Sequence, residues 1–138
     1  VVHYVQHHAR SMIFSASIPP ANAAAALAAL QVMAEEPERI VQLHRNADTL
    51  RSGLQSLGFD TGNSVTPVIP VIIGDDTLTF VAWKLLLDAG VYVNAVISPA
   101  TPKGRQLLRT SCMATHTPEH LDRVLSAFER VGKELGLI

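Results

Sequence analysis

Ile40, Leu43, Ala47, Leu50, Leu54 and Leu57 recur at alternating spacings of three and four residues. That period fits one face of an α-helix and no strand. The other face carries Arg39, Gln42, Arg45, Asp48 and Arg51, so the helix has one side to bury and one to leave in water. Such a helix needs a partner surface. A second stripe, Leu121, Val124, Leu125, Phe128, Val131 and Leu135, follows Thr117-Pro118, which reads as an N-cap and a first-turn proline. Between the two stripes, Val68 to Ile73, Val91 to Val96 and Gln106 to Met113 read as strands, with Pro70 marking the first as an edge or a bulge. Asp76 is placed to cap a helix from Thr77 to about Ala89, with Leu78, Val81, Leu85 and Trp83 or Leu86 inward and Gly90 as its end. The expected fold class is α+β, a small three-stranded, mostly antiparallel sheet covered by helices.

Ahead of this layer, Val1 to Met12 suggests a helix, Ser15, Ser17 and Pro19-Pro20 break it, and an Ala-rich helix runs from Ala21 to about Glu35. The natural division is residues 1–35 and 36–138. The first residues look like mid-helix sequence without a cap or an initiator Met, which predicts a piece of a longer protein.

Composition narrows the partners. Nearly half of the 138 residues are apolar and 17% are charged, a balance that builds a core. The net charge is −1 and the basic residues are scattered among acidic ones, so nucleic acid is not an expected partner. The apolar run Ala23 to Leu30 falls far short of the roughly 20 residues a membrane-spanning helix needs, and no transmembrane segment is expected. A lone cysteine, Cys112, excludes an internal disulfide and fits a reducing, cytoplasmic setting.

Arg109 is the most informative single residue. Its flanks are apolar, Leu107-Leu108 before it and Cys112 after, and a guanidinium in such surroundings is costly unless an anion pairs with it. Its planar donor fork suits a substrate carboxylate; a structural ion pair is the alternative. Ser15 and Ser17 place two hydroxyls just before a helix start, where a phosphate can dock or ordinary capping can account for them. His3 and His7 are one turn apart but lack acidic or sulfur neighbours, so no metal site is expected. His116 and His120 share that spacing, yet Thr117-Pro118 starts a helix between them and spoils a common face. Cys112 reads as a buried thiol.

Taken together and in order, several segments resemble the C-terminal portion of the α-oxoamine synthases. They are His7-His8-Ala9-Arg10, Ile13 to Ala21, Val68-Ile69-Pro70-Val71, Gly90-Val91-Tyr92-Val93, Pro99 to Gly104, Leu108-Arg109-Thr110-Ser111 and the closing Ala114 to Leu121. The resemblance implies the small C-terminal domain of a fold type I transferase dependent on pyridoxal 5′-phosphate, preceded by helices of the large domain. It implies a homodimeric enzyme that condenses serine, glycine or alanine with an acyl-CoA, losing carbon dioxide from the amino acid or from a later intermediate, or that carries out an equivalent ligase reaction. Arg109 matches the family arginine that grips the amino-acid carboxylate. Ser15, Ala16 and Ser17 fall in the segment that crosses to the neighbouring subunit's cofactor phosphate, and Pro99, Ala100 and Thr101 in a mobile loop near the substrate. Residues 1 to about 35 would pack on the large domain and the dimer partner. The family's Schiff-base lysine lies upstream of Val1, and Lys84, Lys103 and Lys133 sit in none of the right surroundings, so this chain alone is expected to be inactive, with no catalytic residue of its own. Ile97 stands where the serine palmitoyltransferase and 8-amino-7-oxononanoate synthase branches commonly carry arginine, and Lys103-Gly104 leans toward the ketobutyrate ligase branch. The alternative is a non-catalytic binding module derived from the same domain.

Overall fold

The structure, a computed structural model, describes residues 1–138, which divide into two compact units, 1–37 and 38–138. In the first unit, helix α1 (Val2–His8) and the single turn α2 (Arg10–Ile13) stand where one helix was expected, because Ala9 takes an extended conformation between them. Helix α3 (Pro20–Glu35) starts with proline in its first turn. It is apolar on most sides and exposed throughout, as are Phe14 and Ile18 before it. A helix with this composition belongs against another surface.

In the second unit, α4 (Glu38–Leu57) buries Ala47, Leu50 and Leu54 from its stripe and leaves Ile40 exposed at its start. Gly58, at φ +104, ends it in a conformation that glycine adopts without a Cβ penalty. Strand β1 (Val68–Ile72) leads through Gly74 to α5 (Asp76–Asp88), then β2 (Asn94–Val96), β3 (Leu107–Ser111) and α6 (Pro118–Glu134). The sheet order is β1-β3-β2, with both pairs antiparallel. Strands β1 and β2 therefore run parallel to each other with β3 inserted between them, and α5 makes the crossover. Pro70 lies on an edge strand, as its missing N–H demands.

Ile69 and Val71 of β1 and Leu108 and Thr110 of β3 turn one face of the sheet toward the helices, and all four are buried. The Thr110 hydroxyl donates to the Ile69 carbonyl at 2.9 Å, which settles the one polar side chain on that face of β3. α4 and α6 pack on each other, α5 on α6, β2 and β3, and α4 on β1. Gly53 permits the α4–α6 approach: a Cβ there would come within 2.6 Å of Leu125 Cδ1. Phe128, 2% exposed, sits edge-on to Phe59 with ring centroids 5.7 Å apart.

Two local expectations shift. The cap of α5 is Asp75, whose carboxylate accepts from the Leu78 N–H at 2.8 Å, one residue before the expected Asp76. The buried face of α5 is Thr79, Ala82 and Leu86, with Trp83 and Leu85 beside it, while Leu78 and Val81 are exposed. Helix α6 begins as expected. Thr117 accepts from the His120 N–H, His120 Nδ1 accepts from the Thr117 N–H at 3.2 Å, and Pro118 occupies the first turn.

Candidate functional site

Strand alternation decides where Arg109 goes. Leu108 and Thr110 point into the core, so Arg109 points the other way, onto the face of the sheet that no helix of this unit covers. Its side chain is exposed and makes no ion pair or hydrogen bond within the chain. The expectation of a guanidinium among apolar neighbours is thus corrected: its apolar flanks lie on the opposite face, and no burial cost has to be offset. What remains is an unpaired planar cation held on the central strand between Pro70 of β1 and Asn94 of β2.

A cleft of about 540 Å³ opens beside it. The second strand was expected to run from Val91 to Val96, but its ladder covers only Asn94 to Val96, and β3 itself spans 107–111 instead of 106–113. Gly90 to Val93 leave the sheet, so Thr110 and Ser111 have no partner on that side. Leu50 of α4 and Leu121 and Val124 of α6 floor the gap, and Arg109, His116, His120 and Arg123 reach it from the rim.

Asn46 shapes that rim from within the core. It is 4% exposed, and its amide donates to the carbonyls of Met113 and His116, each at 2.9 Å, while its oxygen accepts from Gln42. The turn is tightened further by the Met113 N–H donating to His116 Nδ1 at 3.3 Å. Both histidines serve the turn and the helix start rather than one helix face, and their rings meet edge to face with centroids 6.1 Å apart. Each ring accepts a backbone N–H at Nδ1, so in the neutral form Nε2 carries the proton. Replacing Asn46 by alanine is expected to cost about 1–3 kcal/mol, because two part-buried hydrogen bonds from a buried side chain are lost. Urea melts of the two proteins measure that difference, and a change below about 0.5 kcal/mol would mean that the turn keeps itself.

The other candidate residues lie apart from this cleft. Ser15, Ala16 and Ser17 belong to the first unit, in an irregular exposed segment before α3, and neither hydroxyl is engaged within the chain. They cap nothing, since the N-cap of α3 is Pro19 and no side chain hydrogen-bonds to the helix start. Pro99, Ala100 and Thr101 lie in the β2–β3 loop after a cis Ser98–Pro99 bond. The Thr101 hydroxyl donates to the Arg105 carbonyl at 3.0 Å, and the loop is tied to α5 by the Ser98 N–H donating to Asp76 at 3.2 Å. None of the three lines the cleft. Lys84 pairs with Asp88 and Lys133 with Glu129 on exposed helix surfaces, and Lys103 is exposed in the loop. Cys112 is buried behind β3, and burial holds its thiol above the ordinary range, with the nearby Arg51 charge opposing the shift. Histidines 3 and 7 stack, and no group of three or more His, Cys, Asp or Glu is placed to hold a metal ion.

The family model described as aminotransferase class I and II matches residues 1–128. The 8-amino-7-oxononanoate synthase of Symbiobacterium thermophilum is 44% identical over 138 residues, all of this chain and 35% of the relative. The serine palmitoyltransferase of Sphingobacterium spiritivorum is 42% identical over 134 residues, which is 97% of this chain and 34% of the relative. A high-resolution structure of SPT with PLP superposes with a TM-score of 0.84 at 35% identity, covering 99% of this chain and 35% of that one. The chain thus spans about a third of the length of the relatives it matches. No helix is long and apolar enough to cross a membrane.

Proposed function

Because the chain belongs to the aminotransferase class I and II family, we propose that it forms the C-terminal part of a pyridoxal phosphate-dependent α-oxoamine synthase. Residues 1–35 would be the end of the large domain with its connecting helix, and 36–138 the small domain. The reaction joins the α-carbon of serine, glycine or alanine to the acyl carbon of an acyl-CoA, expelling the CoA thiol and losing the amino-acid carboxylate as carbon dioxide. Similarity to both synthases and palmitoyltransferases supports the reaction class and leaves the acyl chain open.

The observation that carries this reading is Arg109. An unpaired guanidinium, fixed at the backbone by ladders on both sides and aimed off the open face of the sheet, is a preformed receptor for a carboxylate. Pro99, Ala100 and Thr101 stand in the loop that would close over that carboxylate. The residues present also fit the phosphate end of the cofactor: Ser15 and Ser17 offer two free hydroxyl donors on an exposed irregular segment. In a homodimer this segment would reach the partner's cofactor, and the exposed apolar side chains of residues 1–35 would be covered by the rest of the protein. Bound pyridoxal phosphate supplies the electron sink for the substrate carbanion. The chain's part is to hold: Arg109 keeps the carboxylate oriented, and the serines keep the phosphate in place.

No lysine of this chain lines the Arg109 cleft, and two of the three are engaged in surface ion pairs. The lysine that carries the cofactor would therefore come from elsewhere in the protein. Titrating the 138-residue chain with pyridoxal phosphate, reducing with borohydride and mapping the peptides should give only weak, scattered labelling. A single stoichiometric adduct at Lys84, Lys103 or Lys133 would overturn this assignment.

A further inference from the structure

The cleft beside Arg109 has a composition that carboxylate gripping does not use. Its floor is aliphatic, from Leu50, Leu121 and Val124, and no aspartate or glutamate lines it. Arg123, from the exposed side of α6, places its guanidinium nitrogen 3.7 Å from where a Cβ on Gly90 would stand, and it forms no ion pair or hydrogen bond in the chain. Gly90 has φ +80 just after α5, a backbone conformation that favours glycine, and Arg123 lies at ordinary contact distance over it. His116 and His120, both holding a backbone N–H at Nδ1, have only Nε2 left to engage a ligand, as donors. A volume of about 540 Å³ is within the range of small-molecule sites.

From this combination we propose that the cleft binds a small amphipathic anion, its apolar tail on Leu50, Leu121 and Val124 and its carboxylate or phosphate head on Arg123, with His116 and His120 donating from Nε2. Charge complementarity selects the head: free cations and ring donors converge on a rim without any negative side chain to pair them. An apolar ligand without a charge would leave Arg123 facing an uncompensated surface, and a simple inorganic ion would leave the floor wet. Both halves of the ligand are therefore required. The proposal does not rest on the catalytic reading, and it stands if Arg109→Gln leaves turnover untouched.

The test is calorimetric titration of the intact protein with octanoate, octyl phosphate and octan-1-ol, the first two separating a carboxylate from a phosphate head. Saturable binding of at least one anion is expected, at least tenfold tighter than octan-1-ol. Arg123→Gln should weaken that anion at least tenfold, and Val124→Phe, which fills the floor, should remove binding altogether, with circular dichroism confirming that both variants fold. Equal binding of octan-1-ol, no saturation with either anion, or an Arg123→Gln affinity within twofold of the parent would overturn the proposal. A variant that merely loses thermal stability while binding as before assigns Arg123 to the carbonyl end of α5 and likewise overturns it.

Discussion

Replacing Arg109 by glutamine in the intact protein is expected to lower kcat/KM for the amino acid about a hundredfold, the equivalent of about 3 kcal/mol for two charge-assisted hydrogen bonds. The fold should not register the change, because the side chain is exposed and engages nothing in the chain, and such surface replacements usually stay within about 0.5 kcal/mol. Arg109→Lys should recover little, since a point charge does not reproduce the fork that meets both carboxylate oxygens. Steady-state kinetics with the amino acid varied and the acyl-CoA saturating reads the effect. An unchanged kcat/KM in the glutamine variant would remove Arg109 from the substrate site.

The largest effect on stability is expected at Phe128. The ring is 2% exposed, stands edge-on to Phe59 and closes the space between α6 and the turn after α4. Truncation to alanine should cost about 3–5 kcal/mol, from lost burial and from the void left behind. For a unit of this size each kcal/mol moves the midpoint by about 4–8 °C, so a fall of more than about 10 °C is expected in a thermal melt. Gly132 prevents the obvious relaxation. A side chain there would already meet Phe59 at 2.6 Å, so the helix and the ring are in contact and cannot close much further. A loss under about 1 kcal/mol would show that the core refills the site.

The helical framework was legible because a three-and-four period admits one interpretation. Leu50 and Leu54, or Phe128 and Val131, have to face the same way in any fold that keeps them helical. Arg109 shows where local reading stops. Apolar neighbours in sequence suggested apolar surroundings in space, but in a strand adjacent residues sit on opposite faces, and the alternation of Leu108 and Thr110 already placed Arg109 away from the core. The short β2 had no signal of its own. Val91 and Val93 point inward as they would in a strand, so the period of two is present while the ladder is not. The pairing of His116 with His120 was out of reach for a different reason: the turn is fixed by Asn46, about seventy residues earlier in the chain. The cleft is the sum of these two nonlocal facts.

The strand order has a consequence for how the molecule is made. Of the three strands, β3 is the last in chain order, yet it is the one that both others bond to. Until it arrives, β1 and β2 have no hydrogen-bonding partner in this sheet, and the helices that would cover them have no finished surface to cover. Closing the sheet therefore requires the insertion of one strand between two edges, a long-range pairing of the kind that slows folding. That strand carries Arg109, so its guanidinium takes its place between β1 and β2 only when the sheet closes.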